Sequence, residues 1–126
     1  MQNHGLTIYI SDNDDIDLRH ILNLIGESGK FSTWKISDVE CFGESAEILH
    51  NISDEQKEIS GEDFYEIASG IYQTIDGEFD AYKSKENNRW LRIKFIRGSE
   101  FDIETEDFEL LNKFRNFFHN VKDLIY

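Results

Sequence analysis

Apolar and polar residues alternate most cleanly in the second half of the chain. In "RWLRIKFIR", Leu91, Ile93 and Phe95 fall on one side and Trp90, Arg92 and Lys94 on the other. That is the period of a half-buried β-strand. The stretch before it, "QTIDGEFDAY" (73–82), contains Asp76-Gly77, a pair that marks a two-residue hairpin when it lies between apolar runs. A turn there would oppose Ile75 to Glu78 and Thr74 to Phe79, mixing apolar and charged groups on both faces. Read as one continuous strand, Ile75, Gly77, Phe79 and Ala81 share one face. Asp76, Glu78, Asp80 and Tyr82 share the other. The continuous strand keeps its phase and is the expectation. "EFDIE" alternates as well, with Phe101 and Ile103 inward and Asp102 and Glu104 outward.

These segments predict a three-stranded antiparallel meander over about 72–83, 89–97 and 100–105, joined by "KSKENN" and "GS". Two registers keep its faces matched. One sets Asp80 opposite Arg92 and Glu78 opposite Lys94. The other sets Glu78 opposite Arg92 and Asp76 opposite Lys94. In both, a basic central strand lies between two acidic ones. Gly77 faces inward, where a bulge or a large neighbour such as Phe95 fills the space.

Earlier in the chain, "LTIYI" (6–10) reads as a strand. "SDNDDID" opens a helix over about 14–26, with Ile16, Leu18, Ile21, Leu22, Leu24 and Ile25 as its apolar stripe. "GESGK" is a turn. "FSTWKISDVECF" is extended, but its apolar phase moves from Trp34 and Ile36 to Val39 and Cys41. A bulge near Ser37–Asp38, or two short strands, accounts for the slip. Short helices are expected over about 44–70. Ser53 to Gln56 has capping-box spacing, and Ser60 begins a looser version of the same signal. The last element is expected to be a long amphipathic helix over about 106–124, capped by Thr105. Leu110, Leu111, Phe114, Phe117, Phe118, Val121 and Ile125 recur along it at three- and four-residue steps. The fold class that follows is α+β: one domain, 1–126, with a mostly antiparallel sheet of four to six strands packed by these helices.

Composition adds bounds. A chain of 126 residues that is 39% hydrophobic, with ten phenylalanines, can bury a core without staples. It contains no proline and a single cysteine, Cys41, so no intrachain disulfide forms and a reducing, cytoplasmic setting is expected. No charged-then-apolar leader and no long apolar run is present, so no signal peptide, membrane span or membrane partner is expected.

Net charge is −13. Binding to a nucleic-acid backbone requires Lys and Arg, so no nucleic-acid partner is expected. The excess is localised. Residues 38–66 hold ten acids and one base, net −9, while 1–37 and 67–126 carry −2 each. The ten are Asp38, Glu40, Glu44, Glu47, Asp54, Glu55, Glu58, Glu62, Asp63 and Glu66. The plain reading is a solvated face that aids solubility. The functional reading is a surface that steers a basic protein partner, with Tyr65, Phe42 or nearby aromatics as anchors.

Residues suited to catalysis or metal binding form no motif. Counted from Asp12, "DNDDID" resembles a calcium loop, but Asp17 stands where glycine is required and Asn23 where a bidentate glutamate is required. Counted from Asn13, those places fall to Leu18 and Leu24. His4, His20, His50 and His119 have no zinc-ligand spacing. Cys41 follows Glu40, a neighbour that disfavours a thiolate. No nucleophile elbow or phosphate-binding glycine loop occurs. No metal, cofactor or catalytic residue is therefore assigned. The leading expectation is a non-enzymatic acidic protein-binding module, of the immunity or inhibitor kind, that neutralises a basic, nuclease-like partner. The alternatives are a small-molecule-binding domain or an enzyme whose site is assembled from scattered residues, and an accessory subunit that oligomerises.

Overall fold

The structure is a computed structural model that describes residues 4–10, 16–83 and 88–124. In chain order it comprises β1 (Gly5–Tyr9), α1 (Leu18–Ile25), α2 (Glu27–Lys30), β2 (Thr33–Phe42), α3 (Ala46–Glu55), β3 (Glu58–Ser60), α4 (Gly61–Ala68), β4 (Gln73–Tyr82), β5 (Arg89–Ile96), β6 (Glu100–Thr105), α5 (Phe108–Phe117) and β7 (Val121–Asp123). The α+β class holds. The strands form one sheet in the order β3-β2-β4-β5-β6-β1-β7, with every neighbouring pair antiparallel. Seven strands exceed the expected four to six, because β3 and β7 are three-residue pieces with no alternation to announce them.

The meander forms in the first of the two registers. Gly77 pairs with Phe95, Glu78 with Lys94 and Asp80 with Arg92. Arg92 and Lys94 in turn face Glu104 and Asp102. Asp76-Gly77 is no turn; the strand runs through it. Its phase does slip once, however. Thr74 is buried in place of Ile75, where β4 and β2 lose register between Glu40 and Cys41. A second irregularity lies in β2 between Ser37 and Glu40, where Asp38 has φ 53°. This is the expected bulge, and it turns Cys41 into the core (2% exposed). The β5–β6 connection places Arg97 and Gly98 at positive φ, the backbone twist that a tight hairpin favours. Asp76 accepts the Arg97 amide at 3.1 Å and steadies that turn.

Helices α4 and α5 pack on the sheet's apolar face through aromatic rings, whereas α1 and α3 enter the core through aliphatic side chains. Phe64 of α4 lies between Trp34 and Phe79, at 4.8 and 5.6 Å between centroids. Phe114 of α5 meets Phe101 edge-on. Phe79–Phe95 and Phe95–Phe101 contacts complete a chain of rings across the core. Such pairs add roughly 0.5–1.5 kcal/mol each beyond their area. Buried Trp34 donates to the Gly29 carbonyl at 2.8 Å, tying α2 to the sheet. "GESGK" is thus one helical turn rather than a plain turn. Gly61 approaches the carbonyls of Gly29 and Lys30 so closely that a Cβ would sit 2.3 Å from either oxygen.

Several expected boundaries move. The expected helix over 14–26 is seen from Leu18; Asp17 caps it, and His20 Nδ1 accepts the Asp17 amide at 3.2 Å. The proposed start at residues 11–15, and the middle of the "KSKENN" loop, lie outside the described residues. Within 44–70, α3 and α4 are separated by β3. Ser60 caps α4 as expected, its hydroxyl accepting the Asp63 amide at 3.1 Å. Ser53 does not start a helix; it lies in the last turn of α3, which ends at left-handed Gln56.

The C-terminal helix is shorter than the 106–124 expected. It ends at Phe117, and Phe118 is extended. Phe118 remains buried against Phe101 and Phe114, so the apolar stripe continues although the helix does not. Val121 to Asp123 instead pair with Leu6 to Ile8 as β7. The edge amides of β1 need partners more than the last turn of a helix does. Thr105 is not the cap. Asp107 is, accepting the Leu110 amide, while Thr105 is buried and bridges the Trp90 carbonyl to the Asp107 amide.

Candidate functional site

Helix α3 is placed by the incompleteness of β3. That strand pairs only with Thr33 to Lys35 of β2, so the outer edge of β2 beyond the bulge has no strand beside it. Two side chains of α3 take the place of a strand. Ser53 Oγ accepts the Val39 amide at 3.4 Å, and His50 Nε2 accepts the Cys41 amide at 3.3 Å. Covering an edge in this way also blocks strand addition by other chains. Helix α3 therefore runs antiparallel to β2. Helix α4 runs back the other way, from the Gly61–Ser32 bond to Gly70, whose carbonyl takes the Ser45 amide.

All ten carboxylates of the 38–66 segment are exposed on this framework. Asp38 and Glu40 lie on β2, and Glu44 lies in the following turn. Glu47, Asp54 and Glu55 lie on α3, Glu58 on β3, and Glu62, Asp63 and Glu66 on α4. They do not converge on a point. They wrap the β3–β2 side of the molecule, a disposition that creates a field rather than a cavity. Of the ten, Glu55 and Glu58 alone form ion pairs among the described residues, with Lys57 at 2.7 Å and Lys35 at 3.4 Å. Glu44 accepts from the Tyr72 hydroxyl, which raises the tyrosine's pKa. Phe42, Ile48 and Tyr72, each more than half exposed, belong to the same stretch. Tyr65 is partly buried, and its hydroxyl donates to the Gly26 carbonyl at 2.7 Å.

The opposite face of the sheet is charged but balanced. A row of facing residues runs Glu58, Lys35, Asp80, Arg92, Glu104 across five strands, alternating in sign. At its centre Arg92 donates to Asp80 at 2.8 and 3.4 Å, with Glu78 at 3.5 Å and Glu104 at 3.9 Å. The Asp80 bond is the main cause that raises the Arg92 pKa. These carboxylates are answered internally, unlike the eight of 38–66 other than Glu55 and Glu58.

One juxtaposition had no signal in the sequence. His50 Nε2 lies 3.9 Å from Cys41 Sγ, nine residues away along the chain. The pair superficially resembles a thiol nucleophile with its base. Its electrostatics oppose that chemistry, since burial pushes the Cys41 thiol up to about 11 and a nucleophile requires the thiolate. The Nε2 lone pair is moreover already engaged by the Cys41 amide. The contact could have been anticipated only from the phase slip that turns Cys41 inward. Among the described residues, no group of three or more His, Cys, Asp or Glu side chains is placed to hold a metal ion. Nor, among them, is any helix long and apolar enough to cross a membrane. No protein family, curated protein or solved structure matches the chain.

Proposed function

We propose that this domain is a non-enzymatic binding module whose acidic flank takes a basic protein partner, in the manner of a cytoplasmic immunity or inhibitor protein covering the cationic surface of a nuclease. The observation that carries the reading is the contrast between the two charged regions. On the sheet's open face Lys35 and Arg92 each pair with a carboxylate. On the flank, eight of the ten carboxylates have no lysine or arginine partner among the described residues. Concentrating like charge destabilises a fold, and a complementary cationic surface relieves that cost while accelerating encounter. Phe42, Ile48 and Tyr72 supply the exposed apolar area that converts encounter into residence.

The test is capture from the native host with wild type and with a Glu47→Lys, Glu62→Lys, Asp63→Lys, Glu66→Lys variant, both checked for folding by circular dichroism. Wild type should retain a basic protein that the variant does not. Equal retention by both would remove the acidic flank from the account.

A further inference from the structure

We propose that His50 is a proton-operated latch that holds α3 on the uncovered edge of β2. The bond from the Cys41 amide requires an unprotonated Nε2, because a nitrogen that carries a proton has no lone pair to accept with. The neutral ring therefore carries its proton on Nδ1. When Nε2 gains a proton, two N–H groups face each other across the former bond. The attraction becomes a repulsion, and the Cys41 amide loses the imidazole as its acceptor. Ser53 then remains as the one other side chain that caps the edge, at 3.4 Å.

The charged side chains nearest the ring along the chain and the sheet are acidic. On the histidine's own helix, Glu47 and Asp54 lie three residues before and four after it, the spacings at which helical side chains meet. On β2, the strand beneath, the titratable groups are Cys41 itself, Asp38 and Glu40. On β4, Thr74 lies opposite Cys41, and Asp76 is the nearest acid along the strand. No Lys or Arg belongs to α3, to β2 beyond the bulge, or to the facing end of β4. The Cys41 amide requires the neutral ring, so one protonation event separates two arrangements of α3.

Opening the latch frees the Cys41 amide, leaves Ser53 alone to hold the edge, and loosens the helix that bears Glu47, Asp54 and Glu55. The effect on partner binding rests on the reading proposed above. The latch itself does not, and its test involves no partner. Amide exchange of the full chain is measured by NMR at pH 8 and pH 5. In wild type the protection factor of the Cys41 amide should fall roughly three- to tenfold at the lower pH, the value of one net hydrogen bond. In His50→Gln, whose side chain accepts without titrating, it should not change. A pH-independent protection factor in wild type, or an equal fall in both proteins, overturns the proposal. Should His50→Gln fail to fold, wild type alone decides. The Cys41 amide shift must titrate with the same midpoint as the His50 ring carbons, and a flat Cys41 shift through that titration refutes the latch.

Discussion

Arg92 donates two hydrogen bonds to Asp80 across the β4–β5 ladder, at 2.8 and 3.4 Å, and the Asp80 side chain is only 12% exposed. The partners of this pair are unequally replaceable. Asp80→Asn leaves Arg92 with Glu78 and Glu104. Arg92→Ala leaves three carboxylates facing one another, with Arg89 at 3.9 Å as the remaining ion-pair partner of Asp80 among the described residues. Arg92→Ala should therefore be the more destabilising change. A double-mutant cycle read by urea denaturation should give a coupling of about 2 kcal/mol. Equal losses and zero coupling would show that the row is ornamental.

Gly77 makes a second prediction. A Cβ there would lie 2.9 Å from the Phe79 ring and 3.3 Å from Val39. The space is thus filled by the next inward residue of the same strand, not by Phe95 across the ladder. Gly77→Ala should cost roughly 1–3 kcal/mol by overpacking. Gly77→Ala combined with Phe79→Leu should recover part of that loss in thermal denaturation, because the shorter side chain withdraws the ring.

Much of this ladder was legible in the sequence, because alternation with charge at every second position admits few registers. What alternation left open, Asp80 and Arg92 decided by choosing between two registers shifted by two residues. The bulge was legible for the same reason: Trp34 and Ile36 could not share a face with Val39 and Cys41 without one. The short strands were not. Val121-Lys122-Asp123 suits a helix as well as a strand, and only the unpaired edge of β1 settles it. Phe118 extended the helical stripe falsely, since a residue just past a helix can fill the same pocket as one within it. For the candidate site, charge position was legible and its consequences were not. Ten acids could be counted, but which of them have a cationic partner, and the bond from Tyr65 to a backbone carbonyl, depend on which elements meet.

A third prediction concerns alkaline pH. The Cys41 thiol, ordinarily titrating near 9, is held protonated by burial up to about 11. Between those values the unfolded chain has lost a proton that the folded one keeps, so stability falls as pH rises. Tyr65, raised by burial as well, adds to the loss above pH 10. The melting temperature should decline across pH 9 to 11, and less steeply in Cys41→Ala. Parallel slopes in the two proteins would place the thiol in water.

The central claim concerns the flank from Asp38 to Glu66, and one measurement addresses it most directly. The association rate of wild type with the basic protein recovered from its host is followed by stopped flow at about 20 mM and about 500 mM salt, across which screening shortens the reach of surface charge several-fold. The account predicts a rate at least roughly tenfold slower at high salt, and a similar slowing at low salt for the Glu47→Lys, Glu62→Lys, Asp63→Lys, Glu66→Lys variant. A rate indifferent to both salt and charge reversal would contradict it.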